Sequence, residues 1–269
     1  MTEPPRILPP RVLIVAGSDS GGGAGLQADL KTVLALGGYG MTAVTALTAQ
    51  NTEGVHAVLA VPADFVRRQM RVVLDDLGAD AIKTGMLKDA DIIAAVAAEL
   101  PDGVPLVVDP VMVAKGGATL LDTAAIDALK RLLLPRTAVL TPNLPEAEAL
   151  LGTAIGDLDA MKRAAEALLG LGPAAVLLKG GHLPGATVHD VLVDRSGVEV
   201  FSAPRIDSRH THGTGCTLAS ALATGLGAGW PLADAVRRAR DYVRAAIRTA
   251  PGFGRGHGPL GHGHTVGPF

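Results

Sequence analysis

The chain has 269 residues, 48% hydrophobic and 19% charged, with a formal net charge of −2, the profile of an ordinary globular protein. The near-neutral balance and the 3% aromatic content argue against the basic footprint and stacking platforms of a nucleic-acid binder. A lone cysteine, Cys216, precludes an intrachain disulfide; with no secretory signal at the N-terminus and no apolar run of membrane-span length, a soluble cytoplasmic protein without a membrane partner is expected.

Residues 1–10 carry four prolines and read as a flexible tail, followed by a single domain over 11–269. Arg11 to Ala16 (RVLIVA) reads as a buried strand, and a glycine-rich turn leads to a helix with Leu26, Leu30, Val33 and Leu34 on one face. Tyr39 to Leu47 reads as the second strand, and Ala79 to Lys83, Val104 to Asp109, Ala138 to Thr141 and Ala174 to Lys179 as further buried strands. Helices near 62–77, 88–99, 122–134 and 157–171 separate them. This alternation predicts βαβ crossovers and a mostly parallel sheet covered on both faces. Val188 to Phe201 differs, because Asp194-Arg195-Ser196-Gly197 joins two strand-like runs into an antiparallel hairpin. Leu232, Val236, Ala239, Val243, Ala246 and Ile247 form a helical stripe, with five arginines between Arg237 and Arg248 mostly on the solvated side. Residues 252–269 hold seven glycines and no acidic residue, and read as a terminal loop.

Ligands of open parallel sheets bind at the carboxyl ends of the strands, which gathers Gly17, Gln50, Asp109, Asn143 and Lys179 onto one rim. The turn Gly17-Ser-Asp-Ser-Gly-Gly-Gly-Ala-Gly25 matches the relaxed dinucleotide fingerprint at Gly23, Gly25 and Ala28, but Gln50 stands where that motif requires an acidic residue. Asp29, inside the following helix against its propensity, is a candidate ligand contact. Thr211-His212-Gly213-Thr214-Gly215-Cys216 opens a helical run, where backbone N–H groups and the helix dipole suit a transferring phosphoryl group. Such a site would lower the pKa of Cys216, leaving it able to take a proton from an attacking hydroxyl. Asp109 and Glu146 offer oxygen ligands to Mg²⁺, and Lys179 a point charge for phosphate oxygens. Asn143-Leu-Pro-Glu146 also has the spacing of a capping box. The histidines at 210, 212, 257, 262 and 264 lack the spacing of a structural zinc site and read as loop residues.

AGSDSGGGAGLQADLKT, TALTAQNTEGV, KTGML, DPVMVAKGG, LTPNLPEAEALLG, LLKGGH and THGTGCTLASALA follow one another across nearly the whole chain. In that order they resemble the hydroxymethylpyrimidine/phosphomethylpyrimidine kinases of thiamine biosynthesis. The resemblance implies a ribokinase-like three-layer α/β/α sandwich, usually a homodimer, using ATP and Mg²⁺. It implies two phosphorylations, of 4-amino-5-hydroxymethyl-2-methylpyrimidine and then of its monophosphate. By similarity Gly17, Asp29, Gln50 and Val111 contact the pyrimidine, whose amino group and ring nitrogens match the mixed amide of Gln50. Cys216 would be the catalytic base, with Gly213 and Gly215 in the anion hole. Asn143, Lys179 and Thr211 would bind nucleotide, with Asp109 and Glu146 at the metal. Many relatives in the wider superfamily carry Asp in the base position. A pyridoxal kinase of the same fold is the nearest rival reading; relatives of that specificity tend to carry an apolar residue at position 50. A vitamer-binding protein without turnover is the rival from another class, and the intact GTGC and NxxE segments argue against it.

Overall fold

The computed structural model describes residues 8–112 and 121–267. One sheet is formed by β1 (Arg11–Asp19), β2 (Tyr39–Gln50), β3 (Val55–Ala60), β4 (Ala81–Thr84), β5 (Leu106–Val108), β6 (Val139–Leu140), β7 (Ala175–Lys179), β8 (Thr187–Asp194) and β9 (Gly197–Pro204). Their spatial order is β3-β2-β1-β4-β5-β6-β7-β8-β9. The six strands from β2 to β7 in that order are parallel, while β3 at one flank and the β8–β9 hairpin at the other pair antiparallel.

The helices are α1 (Gly25–Ala35), α2 (Ala63–Asp76), α3 (Ala90–Glu99), α4 (Thr123–Ala128), α5 (Leu144–Leu151), α6 (Leu158–Leu169), α7 (Thr214–Gly227) and α8 (Leu232–Arg248). Strand alternation sorts the core in two. Leu13, Val15, Ile82, Leu106 and Val108 pack with residues of α2 to α6, whereas Val12, Ile14, Val107 and Leu177 pack with α1, α7 and α8. The result is the expected three-layer α/β/α sandwich. Both sheet faces are covered, so the central strands are continuous apolar runs rather than alternating ones. Full burial of each such Leu or Ile contributes roughly 1.5–3 kcal/mol. Asp89, Asp122 and Asp157 start α3, α4 and α6, each accepting from the backbone N–H three residues on.

Four expectations are corrected. The second strand runs on to Gln50 and turns into β3, an exposed antiparallel strand that the apolar pattern did not separate from its neighbours. The helix expected over 122–134 stops at Ala128, loosens into a π turn over Leu129–Leu133 and tightens into a 3₁₀ turn over Leu134–Arg136, where Pro135 offers no N–H. The tail is fastened at its last residue, since the Tyr39 N–H donates to the Pro10 carbonyl; residues 1–7 lie outside the described residues, as do 113–120 of the DPVMVAKGG segment and its continuation. The C-terminal loop is built into the body: the His257 N–H donates to Thr52 O, the His212 N–H donates to Gly258 O, and His262 is buried against α7. Among the described residues no helix is long and apolar enough to cross a membrane.

From β1 the chain first moves to β2 on one side and later to β4 on the other. A crevice therefore opens at the carboxyl ends of β1 and β4, where doubly wound sheets bind their ligands.

Candidate active site

A cleft of about 320 Å³ occupies that crevice. It brings together Gly17, Gln50, Asp109, Val111, Asn143, Glu146, Lys179, Thr211, Gly213, Gly215 and Cys216, which is every predicted site residue except Asp29. A second cavity of about 550 Å³ adjoins it between β8 and α8 and is lined by Arg205, Asp207 and Arg244. The two share a wall of Asn143, Lys179, His182, Thr211, Thr214 and Gly215.

That wall is the amino end of α7. Gly213 caps the helix at φ +86°, a left-handed conformation costly for any residue with a side chain, and a Cβ there would strike the Gly23 carbonyl oxygen. A Cβ at Gly215 would lie 3.1 Å from Lys179 Nζ and 3.4 Å from Asp109 Oδ2. The helix end thus approaches the charged pair closely only because glycine stands there. Lys179 Nζ donates to Asp109 Oδ1 at 2.9 Å. Burial works against its ammonium form, but Asp109 and Glu146 outweigh burial and hold its pKa above the usual lysine value. Lys179 is therefore a fixed positive charge beside a helix N-terminus, on the wall between two cavities.

Asn143 and Glu146 form the predicted capping box: Asn143 Oδ1 accepts from the Glu146 N–H at 2.9 Å, and Glu146 Oε2 accepts from the Asn143 N–H at 2.8 Å. Burial pushes the Glu146 carboxyl upward; Lys179 opposes the shift and Asp109 reinforces it. Val111 holds φ +42°, a left-handed conformation that a β-branched residue rarely adopts, and it lines the cleft.

Two side chains differ in setting from what the sequence suggests. Asp29 does not reach the cleft. It is fully buried and accepts from Lys83 Nζ at 2.8 and 3.0 Å and from Ser220 Oγ at 2.7 Å. Its place in the helix answers Lys83, which itself lines the cleft. Cys216 lines the cleft, but its thiol pKa is pushed up to about 12 instead of down. Burial is the main cause; Lys83 and the Gly25 N–H, which donates to the sulfur, pull the other way, while Asp29 and Asp109 add to the rise. Desolvation outweighs the helix end.

The sequence reading also missed residues. Lys83 lies in the floor of the cleft, and the pull of Asp29 and then of Cys216 and Asp109 outweighs burial and holds it protonated. A lysine inside the short buried strand β4, Ala-Ile-Lys-Thr, was the available signal. Asp19, at the end of β1, accepts from the Gly21 N–H on Oδ1 and from the Gly23 and Ala24 N–H groups on Oδ2, at 2.8–3.0 Å. His212 Nε2 reaches the same Oδ2 at 2.9 Å and stands 3.2 Å from the Gln50 amide. Burial alone would raise the Asp19 pKa, but the bonds from His212, Gly21 and Ala24 bring it below the usual carboxylate range.

The phosphomethylpyrimidine kinase family profile matches residues 19–261. The hydroxymethylpyrimidine/phosphomethylpyrimidine kinase of Streptomyces coelicolor is 52% identical across 99% of this chain and 100% of its own length. The thiamine biosynthesis bifunctional protein ThiED of Geobacter sulfurreducens is 54% identical over 93% of the chain, which spans about half (52%) of that longer relative. Among solved structures, the phosphomethylpyrimidine kinase of Clostridium difficile superposes with a TM-score of 0.78 at 42% identity, over 88% of this chain and 99% of that one. The pyridoxal kinase of Staphylococcus aureus in complex with AMP-PCP and pyridoxal superposes with a TM-score of 0.88 at 34% identity, over 96% and 94%. With its ribokinase-like fold and a site of this composition, the chain belongs to the phosphomethylpyrimidine kinase family.

Proposed function

We propose that this kinase transfers the γ-phosphoryl group of ATP to the hydroxymethyl oxygen of 4-amino-5-hydroxymethyl-2-methylpyrimidine, and then phosphorylates the resulting monophosphate, in thiamine biosynthesis. The observation that carries the reading is the shared wall, in which the α7 amino end and Lys179 separate a cleft of about 320 Å³ from a cavity of about 550 Å³. The smaller cleft, with Gly17, Gln50 and Val111, takes the acceptor, and the larger takes the nucleotide. Phosphoryl transfer demands positioning and charge stabilisation above all, which the amino end of α7 and Lys179 supply at the wall.

Asp109 and Glu146 give a donor set of oxygens only, which fits Mg²⁺; the ion needs one or two carboxylates besides phosphate oxygens and water. When bound it would neutralise charge on the phosphates. Asn143 and Thr211 on the shared wall face the nucleotide side. Cys216 sits where the acceptor hydroxyl must enter, and its thiolate takes the hydroxyl proton as the oxygen bonds to phosphorus and the nucleoside diphosphate leaves. The reading extends to one catalytic domain over 11–269, acting in the cytoplasm as a homodimer. Its support for the dimer is the exposed apolar pair Leu47 and Leu59, opposed across β2 and β3 on the flank of the sheet.

The test is a coupled assay of nucleoside diphosphate release with Mg²⁺-ATP, comparing hydroxymethylpyrimidine, its monophosphate and pyridoxal. Turnover of both pyrimidines with little pyridoxal activity is expected. Preference for pyridoxal would keep the two-cavity reading and overturn the acceptor. The likeness to solved pyridoxal kinases makes that the alternative to exclude.

A further inference from the structure

The acceptor cleft contains a hydrogen-bond chain that the transfer itself does not use. It starts at the glycine turn, where Asp19 Oδ2 accepts from two backbone N–H groups, passes through His212 Nε2 at 2.9 Å, and reaches the Gln50 amide at 3.2 Å. It ends at Thr48, whose Oγ1 is 3.2 Å from the other arm of that amide and 2.8 Å from the Ser18 carbonyl oxygen.

Two separate constraints decide which way the amide faces. A carboxylate only accepts, so His212 Nε2 carries the proton it shares with Asp19. An NH₂ group turned toward that nitrogen would set donor against donor at 3.2 Å. The Ser18 carbonyl also only accepts, so the single hydroxyl hydrogen of Thr48 is spent on it. An amide oxygen turned toward Thr48 would set acceptor against acceptor at 3.2 Å. Rotating the amide by half a turn converts both clashes into hydrogen bonds, with the Gln50 oxygen on His212 and the Gln50 NH₂ on Thr48.

We propose that His212, held by Asp19, is a positioning residue that locks Gln50 in this single orientation and so sets which acceptor the cleft selects. The inference rests on the reading of Gln50 as the acceptor contact. Once locked, the amide has one lone pair and one N–H left for the cleft, at fixed places. An amide offering both can pair side by side with an amino group and its neighbouring ring nitrogen, as Gln and Asn do with the edge of adenine. A ring with a hydroxyl in place of the amino group can donate to the oxygen, but it makes the side-by-side pair only where a ring nitrogen stands next to that hydroxyl. Without His212 the amide keeps only its contact with Thr48, and more of its orientations present the wrong order to an aminopyrimidine. The same histidine is seated by the C-terminal segment, through its N–H bond to Gly258.

The experiment joins a substrate-free readout to kinetics. In the isotope-labelled protein, the Gln50 NH₂ protons should show nuclear Overhauser contacts to the Thr48 methyl and none to His212 Hε1; the reverse pattern overturns the proposal. In kinetics, His212→Phe should raise KM for hydroxymethylpyrimidine about tenfold, the scale of one oriented hydrogen bond, with the loss falling mainly on KM rather than kcat and with KM for ATP unmoved. His212→Gln, which restores an N–H at similar reach, should recover most of it. Added to Gln50→Ala, His212→Phe should cost nothing further, because both act through one amide. Full additivity, or an unchanged KM in His212→Phe, overturns the proposal. If the wild-type enzyme takes pyridoxal instead, the acceptor reading fails alone, and the Overhauser pattern still decides how Gln50 is held.

Discussion

A thiol of pKa about 12 is ionised to about one part in 10⁵ at pH 7, so Cys216 in the free protein is a neutral S–H. Its thiolate, once formed above Lys83, is a strong base, and its population rises tenfold per pH unit. If chemistry limits turnover, log kcat of the wild type should climb with a slope near one between pH 7 and 9. Cys216→Ala should lower kcat by about 10² to 10⁴ and flatten the climb; parallel profiles in the two enzymes would remove the base and leave Cys216 as part of the cleft wall. At this scale the sequence was legible wherever a residue type states its own use, as with the glycines of the α7 turn, the Asn143–Glu146 box, and Asp109 and Lys179 at strand ends. Asp29, Lys83 and His212 were misread or missed because their meaning lies in partners 54 to 193 residues away. An Asp in a helix pattern looks the same whether it faces a ligand or a buried lysine.

Among the elements, α7 depends on a neighbour that the sequence reading left as loose loop. His262 is buried beneath it, with Nε2 3.0 Å from Thr217 Oγ1, and Tyr242 Oη donates to the His262 carbonyl. Burial, helped by Lys31 and His264, lowers the His262 pKa to about 4 from 6.5. The folded ring stays neutral while the unfolded one takes up a proton. Its contribution is therefore complete above about pH 6.5 and is lost as pH falls toward 4, by at most about 3 kcal/mol. Wild-type Tm should drop between pH 7.5 and 5 by several degrees more than that of His262→Phe, as read by thermal unfolding of both proteins; equal drops would mean that His262 is protonated in place. Periodicity found the helices and the buried strands because these elements are covered in ways that leave a period or a run. It passed over β3, whose VHAVLA is a short apolar run like a core strand yet lies exposed on the flank. It also ran α4 too far, since an unbroken apolar stretch conceals the change of helical pitch before Pro135.

For the whole molecule, order along the chain was enough to give a mostly parallel sheet with helices on both faces and a rim of polar strand ends. Which surfaces meet another molecule was not written in any local pattern. Leu47 and Leu59 leave an apolar stripe on the β3 flank, an unpaired edge that proteins rarely leave bare. Light scattering should give a dimer for the wild type and a monomer for Leu59→Arg, with the far-ultraviolet circular dichroism unchanged; a wild-type monomer at micromolar concentration would end the dimer proposal. The segment at 251–262 carries a further consequence, in time rather than in space. It seats His212 through Gly258, pins the β2–β3 turn through His257, and packs His262 under α7. During synthesis the sheet strands leave the ribosome in order and can begin to pair, but the acceptor cleft waits for this segment before its last polar contacts close. A nascent chain stalled before Gly258 would hold a nearly complete sheet and an unfinished cleft, so the order of synthesis puts the sheet ahead of the site.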